Sequence, residues 1–280
     1  MSQTKGLEYW VSTLTRAELP VLRQTARDLA ALRADDKRLN AHSVAEVIAR
    51  DPIMTVKLLR YLQMHKGRAQ TTEVIQVHQA LLMLGLEPVF NNVAPQPLIE
   101  EMFKMHIKAL APMLRVIHRS HRASEFAKGW ALQLHDLHFE EVRVATLLHD
   151  IAEILMWCFA PEGMLEINVI QEQNRTLRSR HAQEQVLGFA LIDLQKELTV
   201  QWHLPELLLR LMNDSETKEP RVRNVELAVN LARHSANGWD DTALPDDYRD
   251  ISELLRVPVA QVMDMVNAEA DVAHNISTPR

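Results

Sequence analysis

The residues best suited to chemistry are His149 and Asp150, which interrupt the apolar run TLLHDIAEILMWC at residues 146–158. An imidazole and a carboxylate are both ligands for divalent cations. A carboxylate surrounded by apolar residues is costly unless it is paired with a cation or binds a metal. We therefore expect Asp150 to have a charged partner, and the identity of that partner separates a metal-dependent hydrolase from a binding module.

Further histidines could complete a metal site. His118 and His121 are three residues apart in VIHRSHRASEFAKGWA, so they share one face of the helix predicted there. Either ring could face the His149-Asp150 pair as a ligand, and either could be an ordinary exposed or hydrogen-bonded histidine. The single cysteine, Cys158, lies in an apolar run and is predicted to be a buried thiol, so a zinc site built on cysteines is excluded.

The elements that must position these residues are predicted to be helices. The 280 residues include seven glycines, few segments alternate apolar and polar residues, and helix formers dominate. Residues 140–160 are predicted to form one continuous buried helix, because their apolar side chains recur three and four positions apart. These side chains are Val142, Ala145, Leu148, Ala152, Leu155 and Phe159, with Leu147, Ile151 and Ile154 on a neighbouring face. The predicted fold class is all-α, a multi-helix bundle.

Capping residues predict where several helices begin and end. Ser43 and Glu46 have the spacing of a capping box. Asp51 can cap the next helix, and Pro52 fits its first turn, where a missing N–H costs nothing. Gly85 is expected to end the helix that follows.

Composition and sequence layout exclude several classes of protein. The net charge of −6 argues against non-specific nucleic-acid binding, which neutralises phosphates with basic residues. The N-terminus lacks the layout of a signal peptide, and no apolar run reaches the roughly 20 residues of a membrane span. With one cysteine and no such segments, we expect a cytoplasmic protein that binds neither nucleic acid nor membrane. The glycine-rich phosphate-binding loops and the strained serine elbow of hydrolases are also missing from the sequence.

Four segments in order resemble the HDOD family, the HD-related output domains, over about residues 15–240. They are DPIMTVKLLRYLQ, HQALLMLGLEPVFNNV, ATLLHDIAEILM and EQVLGFALIDLQKELTVQWHLPELLLRLM. The resemblance implies an HD-like helical bundle preceded by an N-terminal helical subdomain. It divides the chain into an N-terminal subdomain (1–110), an HD-like helical core (111–240) and a C-terminal helical extension (241–280).

The resemblance also implies a pocket that has lost its metal. Relatives that bind metal use a histidine, a His-Asp pair and a distal aspartate, and the matching positions here are His118, His149, Asp150 and Arg233. The permanently charged Arg233 would repel a divalent ion, and it could pair with Asp150 instead. A further histidine pair of the family is replaced by residues 213–214, Asn and Asp. We expect a vestigial pocket of these four residues, with no metal, no catalytic residue and no cofactor.

By resemblance, the function expected is that of a non-catalytic signal-transduction or regulatory module, which binds another signalling protein or a small ligand. The alternative is a metal-dependent phosphohydrolase of the HD superfamily, in which His118, His149 and Asp150 hold an ion that activates water. Arginines at 175, 178 and 180 suggest a site for an anionic ligand, and a solvated, salt-bridged segment is the other interpretation of Arg175, Arg178 and Arg180. The acidic segment 239–250 is either a docking surface or a solvated loop.

Overall fold

The fold was analysed in a computed structural model that describes residues 5–65, 73–174, 177–213 and 219–266, apart from the side chain of Asn237. These residues contain sixteen α-helices and a further helical stretch at 259–266. The helices are α1 (Leu7–Arg16), α2 (Arg23–Arg33), α3 (Ala41–Ile48), α4 (Pro52–His65), α5 (Val77–Leu84), α6 (Leu86–Asn92), α7 (Ile99–Met102), α8 (Ile107–Gln133), α9 (Phe139–Leu148), α10 (Ile151–Phe159), α11 (Pro161–Gln173), α12 (Ser179–Leu187), α13 (Leu191–Gln201), α14 (Glu206–Leu211), α15 (Pro220–His234) and α16 (Leu244–Leu255). The predicted all-α fold class is confirmed.

Extended pairing is limited to one isolated parallel bridge between Val21 and Leu98 in the described part of the chain. The N–H of Val21 donates to the carbonyl of Pro97 at 2.8 Å, and the N–H of Ile99 donates to the carbonyl of Val21 at 2.9 Å. Among the helices described, no single one is both long and apolar enough to cross a membrane.

The chain forms two compact units. The first contains Met1–His121 and Leu147–Arg210, and the second contains Arg122–Thr146 and Leu211–Arg280. The sequence predicted domain boundaries at residues 110 and 240 from the resemblance to a family, not from compactness. These boundaries stay a prediction.

In the first unit, the buried carboxylate of Asp51 fastens the start of α2 to the start of α4. Its Oδ1 accepts the N–H groups of Ile53 at 2.9 Å and Met54 at 3.0 Å, which is the predicted helix cap. Its Oδ2 accepts the N–H of Leu22 at 3.0 Å and the hydroxyl of Thr25 at 2.9 Å. Burial raises the pKa of this carboxyl, and the hydrogen bonds oppose that effect.

Two other predicted boundaries differ in outcome. The cap of α3 is Asn40, whose Oδ1 accepts the N–H of Ser43 at 2.9 Å, so the predicted capping box starting at Ser43 is wrong. Asparagine caps as well as serine does, and it stands three residues earlier. Gly85 ends α5 as predicted, with a φ of +80° that favours glycine.

In the second unit, α15 packs on α16. His234, at the end of α15, places Nδ1 2.7 Å from Oδ2 of the buried Asp247 near the start of α16. The side-chain amide of Asn224 on α15 donates to the carbonyl of Ala127 at 3.1 Å. The guanidinium of Arg122 lies against the rings of Phe126 and Trp239, 5.2 Å and 4.9 Å from their centroids. Hydrogen bonds and cation–π contacts therefore stabilise this unit in addition to its apolar core.

Candidate functional site

The His149-Asp150 pair lies in a break between two helices of the first unit, not inside one helix. α9 ends at Leu148 and α10 begins at Ile151, so the predicted continuous helix over 140–160 is corrected. The apolar residues on either side are buried as predicted, apart from the partly exposed Phe159. The helix therefore breaks at its polar pair, while its apolar segments remain in the core.

Gln195 of α13 compensates the backbone groups that the break releases. Its side-chain Nε2 donates to the carbonyl of His149, and its Oε1 accepts the N–H of Ala152 at 3.2 Å. Gln195 is itself buried, at 3% exposure. Because unpaired backbone groups in the core are costly, these two hydrogen bonds offset part of the cost of the break.

Arg119 of α8 forms an ion pair with Asp150. The guanidinium donates to Oδ2 of Asp150 through Nη2 at 2.7 Å and through Nε at 3.2 Å. The same Nη2 donates to Oε2 of Glu153 at 2.8 Å. Nδ1 of His149 lies 3.1 Å from the other oxygen of Asp150, within hydrogen-bond distance. These four residues form what we call the arginine-centred cluster: Arg119, His149, Asp150 and Glu153.

The charges in this cluster are arranged around the arginine, which contacts both carboxylates. Burial lowers the pKa of Arg119, but the negative charges of Glu153 and Asp150 outweigh it, so the net pKa lies above its ordinary value. The side chains of Arg119 and Asp150 are 18% and 11% exposed. A permanently charged, poorly hydrated guanidinium thus offsets part of the negative charge of two carboxylates in a largely enclosed place.

Two predicted members of the pocket are exposed. Arg233, near the end of α15, is not the buried residue that was predicted, and its pairing with Asp150 stays a prediction. An arginine does pair with this carboxylate, and it comes from α8. His118 is also exposed, although it precedes Arg119 directly, because neighbouring residues on a helix point in different directions.

The residues present do not fit a divalent cation. In the described ranges, no three His, Cys, Asp or Glu side chains lie together as a ligand set. A metal next to Asp150 would need a ligand in place of Arg119, whose charge repels it. Although His149, Asp150 and Glu153 all belong to the cluster, they do not lie together as the three or more protein ligands that catalytic metal sites use.

The remaining predicted positions are exposed or lie outside the described residues. Arg178 and Arg180 are exposed, and Arg180 pairs with Glu184 at 2.8 Å and with Asp193 at 3.5 Å. Arg175 and residue 214 lie outside the described residues. The anion-binding hypothesis stays a prediction.

Sequence reasoning missed Arg119, Glu153 and Gln195. Glu153 stands three residues after Asp150, a spacing that would have marked a second carboxylate on the same side of the chain. Arg119 carries no such signal beyond its place beside His118. Gln195 has none, because a contact 46 residues away in sequence leaves no local pattern.

The fold and the site together define an all-α helical bundle in which an arginine pairs with the aspartate of a His-Asp turn. A family model for the HDOD domain matches residues 19–217, so the chain belongs to the HDOD family, as its motifs predicted.

Solved structures share the fold. The MmoQ response regulator of Methylococcus capsulatus has a TM-score of 0.64 and 19% identity, over 89% of this chain and 98% of its own. A virulence factor of Campylobacter jejuni has a TM-score of 0.64 and 20% identity, over 89% of each chain. No match was found among curated protein sequences.

Proposed function

We propose that this protein is a non-catalytic signalling module that works by binding another protein, and that its His-Asp pocket is a vestigial metal site filled by Arg119. The observation that carries the proposal is the guanidinium 2.7 Å from Asp150 and 2.8 Å from Glu153. A signalling role is supported by the HDOD family match and by the fold shared with a response regulator.

Arg119 limits the chemistry that the pocket can perform. A hydrolase of the HD type needs a cation that lowers the pKa of bound water and so produces a nucleophile. An arginine cannot do this, because it has no site for a water ligand and does not lose its proton at any ordinary pH. It supplies positive charge to the two carboxylates and no further chemistry. The pocket is therefore suited to holding α8 and α10 together rather than to catalysis.

The rival function is a metal-dependent phosphohydrolase, and metal content decides between them. Purified protein is incubated with Mn²⁺, dialysed and analysed by elemental mass spectrometry, and its activity is measured on phosphomonoesters and phosphodiesters. We expect less than about 0.1 equivalent of metal per chain and no hydrolysis above the rate in buffer alone, because the guanidinium of Arg119 occupies the place where a cation would bind.

Two variants make the result interpretable. His149→Ala removes a candidate ligand, and His42→Ala removes a histidine whose side chain is 76% exposed. The proposal would be overturned if the protein bound about one equivalent of metal and hydrolysed phosphoesters, and if His149→Ala abolished this hydrolysis while His42→Ala retained it. Metal that both variants retain equally is bound elsewhere and leaves the vestigial pocket intact.

A further inference from the structure

One face at the start of α8 is both basic and apolar. From residue 102 to residue 124 the sequence contains no Asp or Glu, although the whole chain has a net charge of −6. Arg119, in this stretch, turns inward to its two carboxylates. The basic residues before it are exposed: Lys104, Lys108 and Arg115. Positive charge is therefore concentrated on this part of the first unit.

Large apolar side chains share that surface. Met105 is 88% exposed, Ile107 67% and Leu114 37%. Single exposed apolar residues are common, but three within ten residues, next to three exposed basic ones, are a feature of interaction sites. We call the six side chains the α8 face: Lys104, Met105, Ile107, Lys108, Leu114 and Arg115.

The spacing of the α8 face suits a second helix. Ile107 and Leu114 are seven residues apart, and so are Lys108 and Arg115. Positions seven apart lie almost above one another on a helix, which gives an apolar row with a basic row beside it. The small Ala111, also exposed, lies between the two apolar residues and permits a close approach. This is the arrangement of a coiled-coil seam with charged flanks.

We infer that the α8 face docks an acidic amphipathic helix of a partner protein. The partner's apolar row would cover Ile107 and Leu114, and its Glu or Asp residues would pair with Lys108 and Arg115. The inference deepens the proposed function and rests on it, because it names the kind of partner that a binding module of this type takes. Charge complementarity selects the partner, since like charges opposite the basic row would cost free energy.

Two other occupants fit less well. A second copy of this chain could offer its acidic α16, but Asp246 pairs with Arg249 at 3.0 Å, and Glu253 pairs with Arg223 at 3.0 Å. An anionic membrane surface would attract the basic row. However, helices that lie in membranes bury a long apolar face, whereas the α8 face exposes two large apolar side chains of the helix and one just before it.

The test uses the whole protein and two labelled synthetic peptides. The first peptide is a three-heptad helix with leucine in its apolar row and glutamate beside it. The second has the same composition with the leucines spread around the helix. Binding is measured by fluorescence anisotropy. We expect the amphipathic peptide to bind at least ten times more tightly than the second peptide.

Matched variants locate the binding site. Lys108→Glu with Arg115→Glu reverses the basic row, and Lys37→Glu with Arg38→Glu makes the same change in net charge at exposed positions outside the α8 face. The first pair is expected to weaken binding of the amphipathic peptide at least tenfold, and the second less than threefold. Circular dichroism checks that both variants keep the helical fold.

Several results would overturn the inference. Equal binding of both peptides would mean charge attraction without docking, and no binding would mean that the surface takes no such helix. Self-association of the wild type in sedimentation, lost in Lys108→Glu with Arg115→Glu, would assign the face to a second copy. Binding to phosphatidylglycerol vesicles without peptide binding would assign it to a membrane. Metal-dependent hydrolysis would instead remove the proposed function while leaving these binding results unchanged.

Discussion

Arg119 and Asp150 form a two-point ion pair, with Nη2 and Nε of the guanidinium 2.7 Å and 3.2 Å from the same carboxylate oxygen. The pair ties the middle of α8 to the turn before α10. Because Nη2 also contacts Glu153, one arginine contacts two acidic groups at once.

Removing Arg119 should destabilise the protein more than removing either acid. Arg119→Ala removes the guanidinium that two carboxylates share, which should cost about 2–4 kcal/mol of unfolding free energy, below the value for full burial because the site is partly exposed. Asp150→Ala should cost less, because Glu153 still pairs with the arginine. Urea denaturation of both single variants and the double variant gives a double-mutant cycle, and we expect a coupling energy of at least about 1 kcal/mol.

The matched control for this cycle is Arg233→Ala. Because the side chain of Arg233 is exposed, we expect the free energy of unfolding to change by no more than about 0.5 kcal/mol. If Arg233→Ala costs as much as Arg119→Ala, or if the effects of Arg119→Ala and Asp150→Ala simply add, the assigned ion pair is wrong.

Asp51 is predicted to be one of the most sensitive polar positions. Asp51→Ala removes a helix cap and leaves the N–H groups of Leu22, Ile53 and Met54 without their acceptor, which should cost at least about 3 kcal/mol. Asp51→Asn keeps one acceptor oxygen and should cost less. Asp36→Ala, at an exposed position, serves as the control in the same thermal and urea unfolding experiments. A loss below about 1 kcal/mol in Asp51→Ala would contradict the role given to this carboxylate.

Cys158 is predicted to be unreactive in the folded protein. It is 7% exposed, as its apolar sequence predicted, and burial raises the pKa of its thiol, with a further effect from the negative charge of Asp51. Since the thiolate is the reactive form, labelling with a disulfide reagent at pH 8 should be at least about a hundred times slower than in denaturant. Ser179→Cys in a Cys158→Ala background provides an exposed thiol for comparison. Equal rates for the two native proteins would show that Cys158 is accessible.

The Asp247 carboxyl should make stability depend on pH. Burial raises its pKa, and the hydrogen bond from His234 opposes that effect without cancelling it. A carboxyl with a raised pKa holds its proton more readily in the folded state. Its contribution therefore favours folding below the ordinary pKa, about 3.9, and is lost as the pH rises through the raised value. We compare the free energies of unfolding of the wild type and of Asp247→Asn. The value for the wild type minus the value for the variant should decrease as the pH rises from 4.

Urea unfolding at several pH values from 4 to 6 measures that difference, with Asp36→Asn as the exposed control. The control difference should change little, because an exposed carboxyl has similar surroundings in both states. A wild type that gains stability over Asp247→Asn with rising pH would mean that the pairing with His234 outweighs burial.

The sequence predicted the helices well because their signals are local. Low glycine content, apolar spacing and caps such as Asp51-Pro52 act within a few residues, and the helices begin and end close to them. The cap of α3 was misplaced because Asn40, Ser43 and Glu46 compete within one turn, and only the backbone geometry decides between them.

The site was predicted in part. The need of Asp150 for a cation followed from its apolar surroundings, and an arginine met that need, but family alignment chose Arg233 instead of Arg119. Two residues adjacent on a helix, His118 and Arg119, face different environments, so a matching motif does not tell which of them turns inward. The break at His149-Asp150 depended on Gln195, a contact that no local pattern encodes.

Gln195 gives the His149-Asp150 turn a mechanical connection. Its two hydrogen bonds span the helix break, and α13, which carries it, packs along α1. A sliding movement of α13 must either rupture both bonds or pull the turn along with it. Because α13 packs along α1 and also on α10, a displacement of α1 is expected to reach the His149-Asp150 turn through α13, in which Gln195 supplies hydrogen bonds to that turn.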